Sequence, residues 1–287
     1  MATISIHFDG PITINHKAPI RVLANTYTHV QRAIDRAFLI ETYGDVYKHQ
    51  RLTSKQYADT VFLAEYPREG GIILDAFREG AGNIVDRIAE SIRPVIDRAL
   101  ARGLLDHSSL SAQFRDRETY VIQMRENTQN YEEVVENAPT DWKNAYSNRS
   151  IVKEIDQLVS QITPTALAGS TAEIELHGNR PHLPYRFDAR TASRFHKIAA
   201  HKELGAATIV NCVIRSLDRG NKNTKPSAKI HNLNTGREQT LLCFHHGDAD
   251  RLHPHHNSEP VRLYVCPLFE ALGFDVMSGD LVFIAVA

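Results

Sequence analysis

Ile4, Ile6 and Phe8 alternate with Thr3, Ser5 and His7, a period of two that predicts a half-buried strand over Thr3–Phe8. Asp9-Gly10-Pro11 breaks it. From Pro19 the period changes. Val22, Leu23, Val30, Ala33, Ile34, Ala37 and Phe38 recur at helical spacing, with Pro19 suited to the first turn and Gly44 to the end. Two apolar runs, Thr60–Tyr66 and Ile72–Phe77, flank Pro67-Arg68-Glu69-Gly70-Gly71 and predict a β-hairpin. The clearest amphipathic helix follows. Ile84, Val85, Ile88, Ile92, Val95, Ile96, Ala99 and Leu100 form its stripe, while Asp86, Arg87, Glu90, Arg93 and Asp97 face away. Pro94 predicts a kink and Gly103 a C-terminal cap. The first 103 residues thus read as a β-α-β-β-α unit, a small antiparallel sheet with helices on one face.

Residues 104–165 are more polar and read as a helical connector. Helices are expected over Ser108–Asn127, Asn130–Ala138 and Ser150–Ile162, with a break at Ala138-Pro139-Thr140-Asp141-Trp142. The turn-rich Thr163–Ser170 is the expected boundary. Beyond it the period falls to two. Strands are expected at Glu173–His177, Ala207–Leu217, Ala228–Leu233, Gln239–Phe244, Val261–Val265 and Asp280–Val286, with one helix at Ala189–His201. Asn234-Thr235-Gly236 reads as a type I turn with glycine in the left-handed position. Arg219–Lys225 reads as a polar, mobile loop. The expected fold class is α+β, with residues 166–287 forming a β-rich, OB-like or SH3-like barrel.

The length of 287 residues suits more than one module. A net charge of −1 gives no global basic field for nucleic acid or anionic membrane, so such binding needs a local patch. Cys212, Cys243 and Cys266 are an odd count with no close pair, which excludes a disulfide framework or a cysteine-built zinc site. Cys243, among Leu241, Leu242 and Phe244, reads as a buried inert thiol. The opening MATISIHFDG has no charged stretch followed by an apolar one, and no apolar run is long enough to span a membrane. A cytoplasmic protein without a membrane partner is expected.

The strand at Ile4–Phe8 followed by GPITINHKAPIRVLANTYTHVQRAID resembles the opening of uncharacterised bacterial accessory proteins encoded in anti-phage defence clusters. The similarity covers the first forty residues. It implies a bacterial host and a partnered role, and no active site.

Three stretches carry candidate chemistry. His245, His246, Asp248, Asp250, His253, His255 and His256 cluster in one segment, holding five of the fifteen histidines. Imidazole and carboxylate are ligands for zinc, manganese or iron, and a divalent metal there would activate water. The spacing matches neither HExxH nor HxHxDH, and a His-rich surface loop is the plainer reading. The second stretch is basic: Arg215, Arg219, Lys222, Lys225, Lys229 and Arg237, interspersed with Asn221, Asn223, Asn232 and Asn234. Such side chains neutralise phosphates, and asparagines read base edges. Phe195, Phe244 and Tyr264 are the candidate stacking rings. The third, Arg78-Glu79-Gly80-Ala81-Gly82-Asn83, places glycines before a helix as a phosphate loop does. It lacks the rest of a P-loop or dinucleotide fingerprint, so it reads as a connection with Asn83 as cap.

Two functions follow. The favoured one is a non-enzymatic binding or assembly component of a bacterial multi-protein system, such as anti-phage defence, without a cofactor. It would form a homo-oligomer or engage another protein of that system, and contact nucleic acid through the C-terminal module. The alternative is a metal-dependent hydrolase or nuclease using residues 245–256.

Overall fold

The structure is a computed structural model and describes all residues except 16, 45–49, 66–71, 102–108, 258 and 272. In chain order its elements are β1 (Ala2–Asp9), α1 (Ile20–Tyr43), β2 (Leu63–Ala64), β3 (Ile72–Arg78), α2 (Gly82–Leu100), α3 (Leu110–Gln123), β4 (Gln129–Asn130), α4 (Tyr131–Glu136), α5 (Thr140–Val159), β5 (Thr171–His177), β6 (Tyr185–Asp188), α6 (Ala189–Ala199), β7 (Lys202–Leu204), β8 (Thr208–Asp218), β9 (Ser227–Asn232), β10 (Arg237–Leu242), α7 (Asp248–Leu252), β11 (Val261–Glu270) and β12 (Leu281–Val286). The class is α+β. The chain divides into two units, one of Met1–Leu104 with Ser147–His201, the other of Leu105–Tyr146 with Lys202–Ala287.

The first unit holds an antiparallel sheet of order β2-β3-β1-β5-β6. Alternation in β1 buries Ala2, Ile4, Ile6 and Phe8, and Ile6 sits between Leu74 and Ile174. Helix α2 packs on β1, β5, α1 and α6. Its stripe from Ile84 to Ala99 is buried there, so this apolar face is core and is not left for a second subunit. The helix runs through Pro94. Gly44 closes α1, its N–H donating to the Ile40 carbonyl at 2.7 Å.

Several expectations change. The first run of the hairpin starts later than expected: Gln56–Thr60 is a 3₁₀ turn, and among the described residues Leu63 and Ala64 pair with β3, with Glu65 N donating to the Asp75 carbonyl at 3.0 Å. The loop 67–71 and the Gly103 cap lie outside the described residues. The cap of α2 is Ala81 rather than Asn83, whose side chain instead accepts from Asn179 Nδ2 at 2.6 Å. A Cβ at Gly82 would overlap the Asn179 side chain, so close packing explains this glycine without a phosphate. Asp86, read as solvent-facing, is buried. It accepts from Asn179 N at 3.1 Å, Arg180 N at 3.3 Å and His182 Nε2 at 2.8 Å.

Segment 166–201 does not join the barrel: β5 pairs with β1, and β6 with β5. Alternation shows that a strand is half-buried but does not name its sheet. The connector 104–165 is divided, its residues to Tyr146 belonging to the second unit and those from Ser147 to the first. The break at 138–142 is short, because α5 begins at Thr140. Trp142 lies within it, edge-on to Phe269 at 4.8 Å.

In the second unit β8, β9, β10, β12 and β11 close into a five-stranded barrel, β8 pairing with both β9 and β11. The β10–β12 pair is parallel and the others in the barrel are antiparallel. Helix α7 lies between the third and fourth barrel strands. This order and the parallel pair make the barrel OB-like rather than SH3-like. Cys212, Ile214, Ile230, Leu241, Leu263 and Phe283 fill its interior, and Leu252 of α7 joins them. A second cluster packs Phe114 and Val121 of α3 against Tyr264, Cys266, Val282 and Ile284, so β11 and β12 are covered on both faces. That explains their near-continuous apolar sequence.

Candidate nucleic-acid interface

The outer face of β8, β9 and β10 is the part of the barrel wall on which the basic residues concentrate. Along β9, Ala228, Ile230 and Asn232 point inward and are buried, leaving Ser227, Lys229 and His231 outward. Register places Lys229 opposite Thr240 on β10 and Ser216 on β8, and His231 opposite Glu238 and Val213. Lys229 Nζ donates to Thr240 Oγ1 at 2.9 Å. A register shift between Ile214 and Ser216 interrupts the alternation of β8. Arg215 and Ser216 are both exposed there, while Leu217 returns to the interior cluster. Alternation from buried Cys212 and Ile214 already puts the Arg215 guanidinium outward, and the irregularity adds Ser216 to the same face opposite Lys229.

The loop joining β8 to β9 carries Arg219, Lys222 and Lys225, all exposed. It is tied internally rather than left loose. Asn221 Oδ1 accepts from Asn223 N at 2.8 Å and Thr224 N at 3.1 Å, and Asp218 Oδ1 accepts from Gly220 N at 2.9 Å. Gly220 has φ +67°, and a Cβ there would overlap the Thr224 carbonyl. A fixed loop holds its cations at low entropic cost to binding. Arg219 lies 3.9 Å from Asp250. Lys225 Nζ rests 3.8 Å from the centroid of Phe244. Arg215, Arg219, Lys222, Lys225 and Lys229 therefore belong to one end of this face. Arg237 starts β10 at the other, three residues, or about 10 Å, from Thr240.

Three of the four asparagines do not fit base reading, while Asn223 is exposed. Asn232 is fully buried and donates to Gln239 Oε1 at 2.6 Å. Asn234 Oδ1 accepts from Asn211 N at 3.3 Å, and Asn221 shapes its loop. The expected stacking rings are likewise engaged. Phe195 is buried in the first unit. Tyr264 is buried, its hydroxyl donating to the Arg125 carbonyl at 3.4 Å. Phe244 stacks on Phe114 at 4.3 Å. The face offers cations, hydroxyls and the His231 ring, with one exposed carboxylate, Glu238, opposite His231, a set in which cations predominate and sequence readout is poor.

No family model, no curated protein and no solved structure matches this chain.

The histidine segment serves the barrel. Asp248 is buried and its Oδ2 accepts from Phe244 N at 3.0 Å and His245 N at 2.9 Å, while Arg251 Nη1 reaches Oδ1 at 3.3 Å. These bonds close the turn that launches α7. The His245 ring stands edge-on to Phe114 and Phe244, with centroids 5.3 and 5.6 Å away. Asn257 N donates to the Ile214 carbonyl at 3.1 Å, fastening the far end of the segment to β8. Among the described residues, no three His, Cys, Asp or Glu side chains are gathered to hold a metal ion. His245, His246, Asp248, Asp250, His253, His255 and His256 are thus adjacent in sequence without converging on a shared point. Asp248→Ala is expected to lower stability by about 1–3 kcal/mol, because two backbone N–H groups lose their acceptor. Asp248→Asn, which keeps an acceptor oxygen, should recover most of it. Urea denaturation of the two variants checks this.

All three cysteines are buried, and burial pushes each thiol up to about 12. The nucleophilic thiolate is therefore absent near neutrality. The interior polar group Tyr131, Gln239 and Asn232 is fully hydrogen-bonded. Gln239 Nε2 donates to Tyr131 Oη and to the Gly279 carbonyl, both at 3.1 Å, and Tyr131 Oη donates to the Val276 carbonyl at 2.8 Å. Burial raises the Tyr131 hydroxyl above its ordinary range. Among the described residues, no helix is long and apolar enough to cross a membrane.

Proposed function

We propose that this chain is a non-enzymatic binding component whose barrel contacts single-stranded nucleic acid through the β8–β9–β10 face and the β8–β9 loop. The observation that carries the reading is the gathering of five cationic side chains on the barrel's second strand, its β8 bulge and its first loop. In OB-type barrels that strand face and that loop bind oligonucleotides or oligosaccharides. Charge decides between these ligands, since an oligosaccharide gives the cations nothing to neutralise. The engaged asparagines and rings favour binding that tolerates any sequence. Asp248 already accepts three hydrogen bonds in closing its turn, which favours the binding reading over a metal-dependent hydrolase.

The wider setting is a bacterial, cytoplasmic assembly such as an anti-phage system, with a second copy or another protein of that system as partner. It is supported by the resemblance of the opening forty residues, and α2 contributes nothing to it because its stripe is core.

Fluorescence anisotropy of a labelled oligothymidylate with the full chain tests the binding. Five phosphate contacts on a single strand give a log–log salt slope of about −3.5, so affinity should fall about 100-fold between 50 and 200 mM salt. Absence of binding at 50 mM salt, or binding insensitive to salt, would refute the proposal.

A further inference from the structure

The first unit contains a half-open cavity of about 380 Å³ between α1, the segment from Gln50 to Tyr57, and α5. Its volume falls in the range of small-molecule sites. Arg32, Arg36 and Arg51 line it. Arg36 Nη1 is tethered to the Gln50 carbonyl at 3.0 Å, whereas Arg32 and Arg51 form no ion pair among the described residues.

The opposing carboxylates are largely spoken for. Glu154 Oε2 is 2.7 Å from His29 Nδ1. Asp35 accepts from Gln31 Nε2 at 2.8 Å, and desolvation raises its carboxyl above the usual range. Three guanidiniums against two carboxylates leave the lining with an excess of positive charge. Gln50 lines the cavity beside these arginines. Tyr57 stands at the rim, 58% exposed.

We infer that this cavity binds a nucleoside monophosphate. Arg32 and Arg51 would hold the phosphate, since guanidinium forks match its oxygens. The Tyr57 ring would flank the base. The site lies within the first unit, and its residues are distinct from the barrel cations, so it stands independently of the nucleic-acid reading.

Isothermal titration of the full chain with AMP, GMP, CMP, UMP, ribose 5-phosphate and inorganic phosphate tests the inference. At least one nucleotide should bind more tightly than ribose 5-phosphate, and inorganic phosphate should be weakest. Arg32→Ala and Arg51→Ala should each weaken nucleotide binding about tenfold or more. Tyr57→Ala should weaken the nucleotide and leave ribose 5-phosphate unchanged. These three side chains are exposed, so the variants should fold, as circular dichroism will check. A barrel variant lacking Lys222 and Lys229 should bind the nucleotide normally. A terminal nucleotide of an oligonucleotide is the other source of this group; a 5′-phosphorylated dinucleotide competing with the mononucleotide would identify it and uphold the site. No heat from any probe at millimolar concentration would overturn the inference. Binding undiminished in the Arg32→Ala/Arg51→Ala double variant would do so as well.

Discussion

Asp86→Ala is expected to destabilise the first unit by about 3 kcal/mol, since two backbone N–H groups and the His182 ring, all bonded to this carboxylate, lose their acceptor at roughly 1 kcal/mol or more each. The carboxylate holds the β5–β6 turn against α2 through two backbone N–H groups and His182. A Cβ at Gly178 would overlap it, so the turn is packed directly against this carboxylate. Thermal denaturation followed by circular dichroism should show the loss. An unchanged midpoint would mean that the turn is held by other contacts.

The same group gives a pH dependence. Desolvation raises the Asp86 carboxyl, but the His182 hydrogen bond, the Arg180 and Asn179 N–H groups and the His182 charge together outweigh it, and the net direction is downward. A group depressed on folding stabilises fully above its unfolded value, near 3.9 for aspartate. That contribution is lost as pH falls through the lower folded value. Acid unfolding of the parent should therefore be steeper below pH 4 than that of Asp86→Asn.

Arg215→Glu, Lys222→Glu and Lys229→Glu together are expected to reduce oligonucleotide affinity at least 100-fold at 50 mM salt. The salt slope should fall from about −3.5 to about −1.4 as two of five phosphate contacts remain. All three residues point to solvent or lie half-exposed on the outer face. Reversal there leaves the interior untouched, and surface changes of this kind are close to neutral for stability. Lys225 is left in place because its ammonium also sits over Phe244. A triple variant that binds like the parent would place the contact surface elsewhere.

The fold was legible where burial is one-sided. The β1 alternation, the α2 stripe and the strands of the barrel all follow from period, and Gly236, with φ +67°, fills the turn position expected of it. Partnership was not legible. Strand β5 has the same half-buried pattern whichever sheet it joins, and only its pairing with β1 assigns it to the first unit. Helix α5 was read late because Trp142 and Tyr146 are separated by polar residues, although both lie on one helical face by spacing. The basic stretch was visible as composition. Arg215 points outward by the same alternation as Val213, whereas the bulge that adds Ser216 to that face depends on cross-strand register and was not visible. His231 carried a readable signal, since it alternates with buried Ile230 and Asn232. Asp86 carried none, because a carboxylate on the polar side of a stripe is ordinarily solvated. The arginine cavity draws on α1, a segment beginning at Gln50, and Glu154 of α5, a convergence set by tertiary packing alone.

Hydrogen–deuterium exchange of the full chain with and without oligothymidylate tests the barrel-face assignment most directly. Slowed exchange should concentrate in 219–231, spanning the β8–β9 loop and most of β9, and vanish in the Arg215→Glu/Lys222→Glu/Lys229→Glu variant. Protection confined to other segments, or none under conditions where the oligonucleotide is bound, would contradict it.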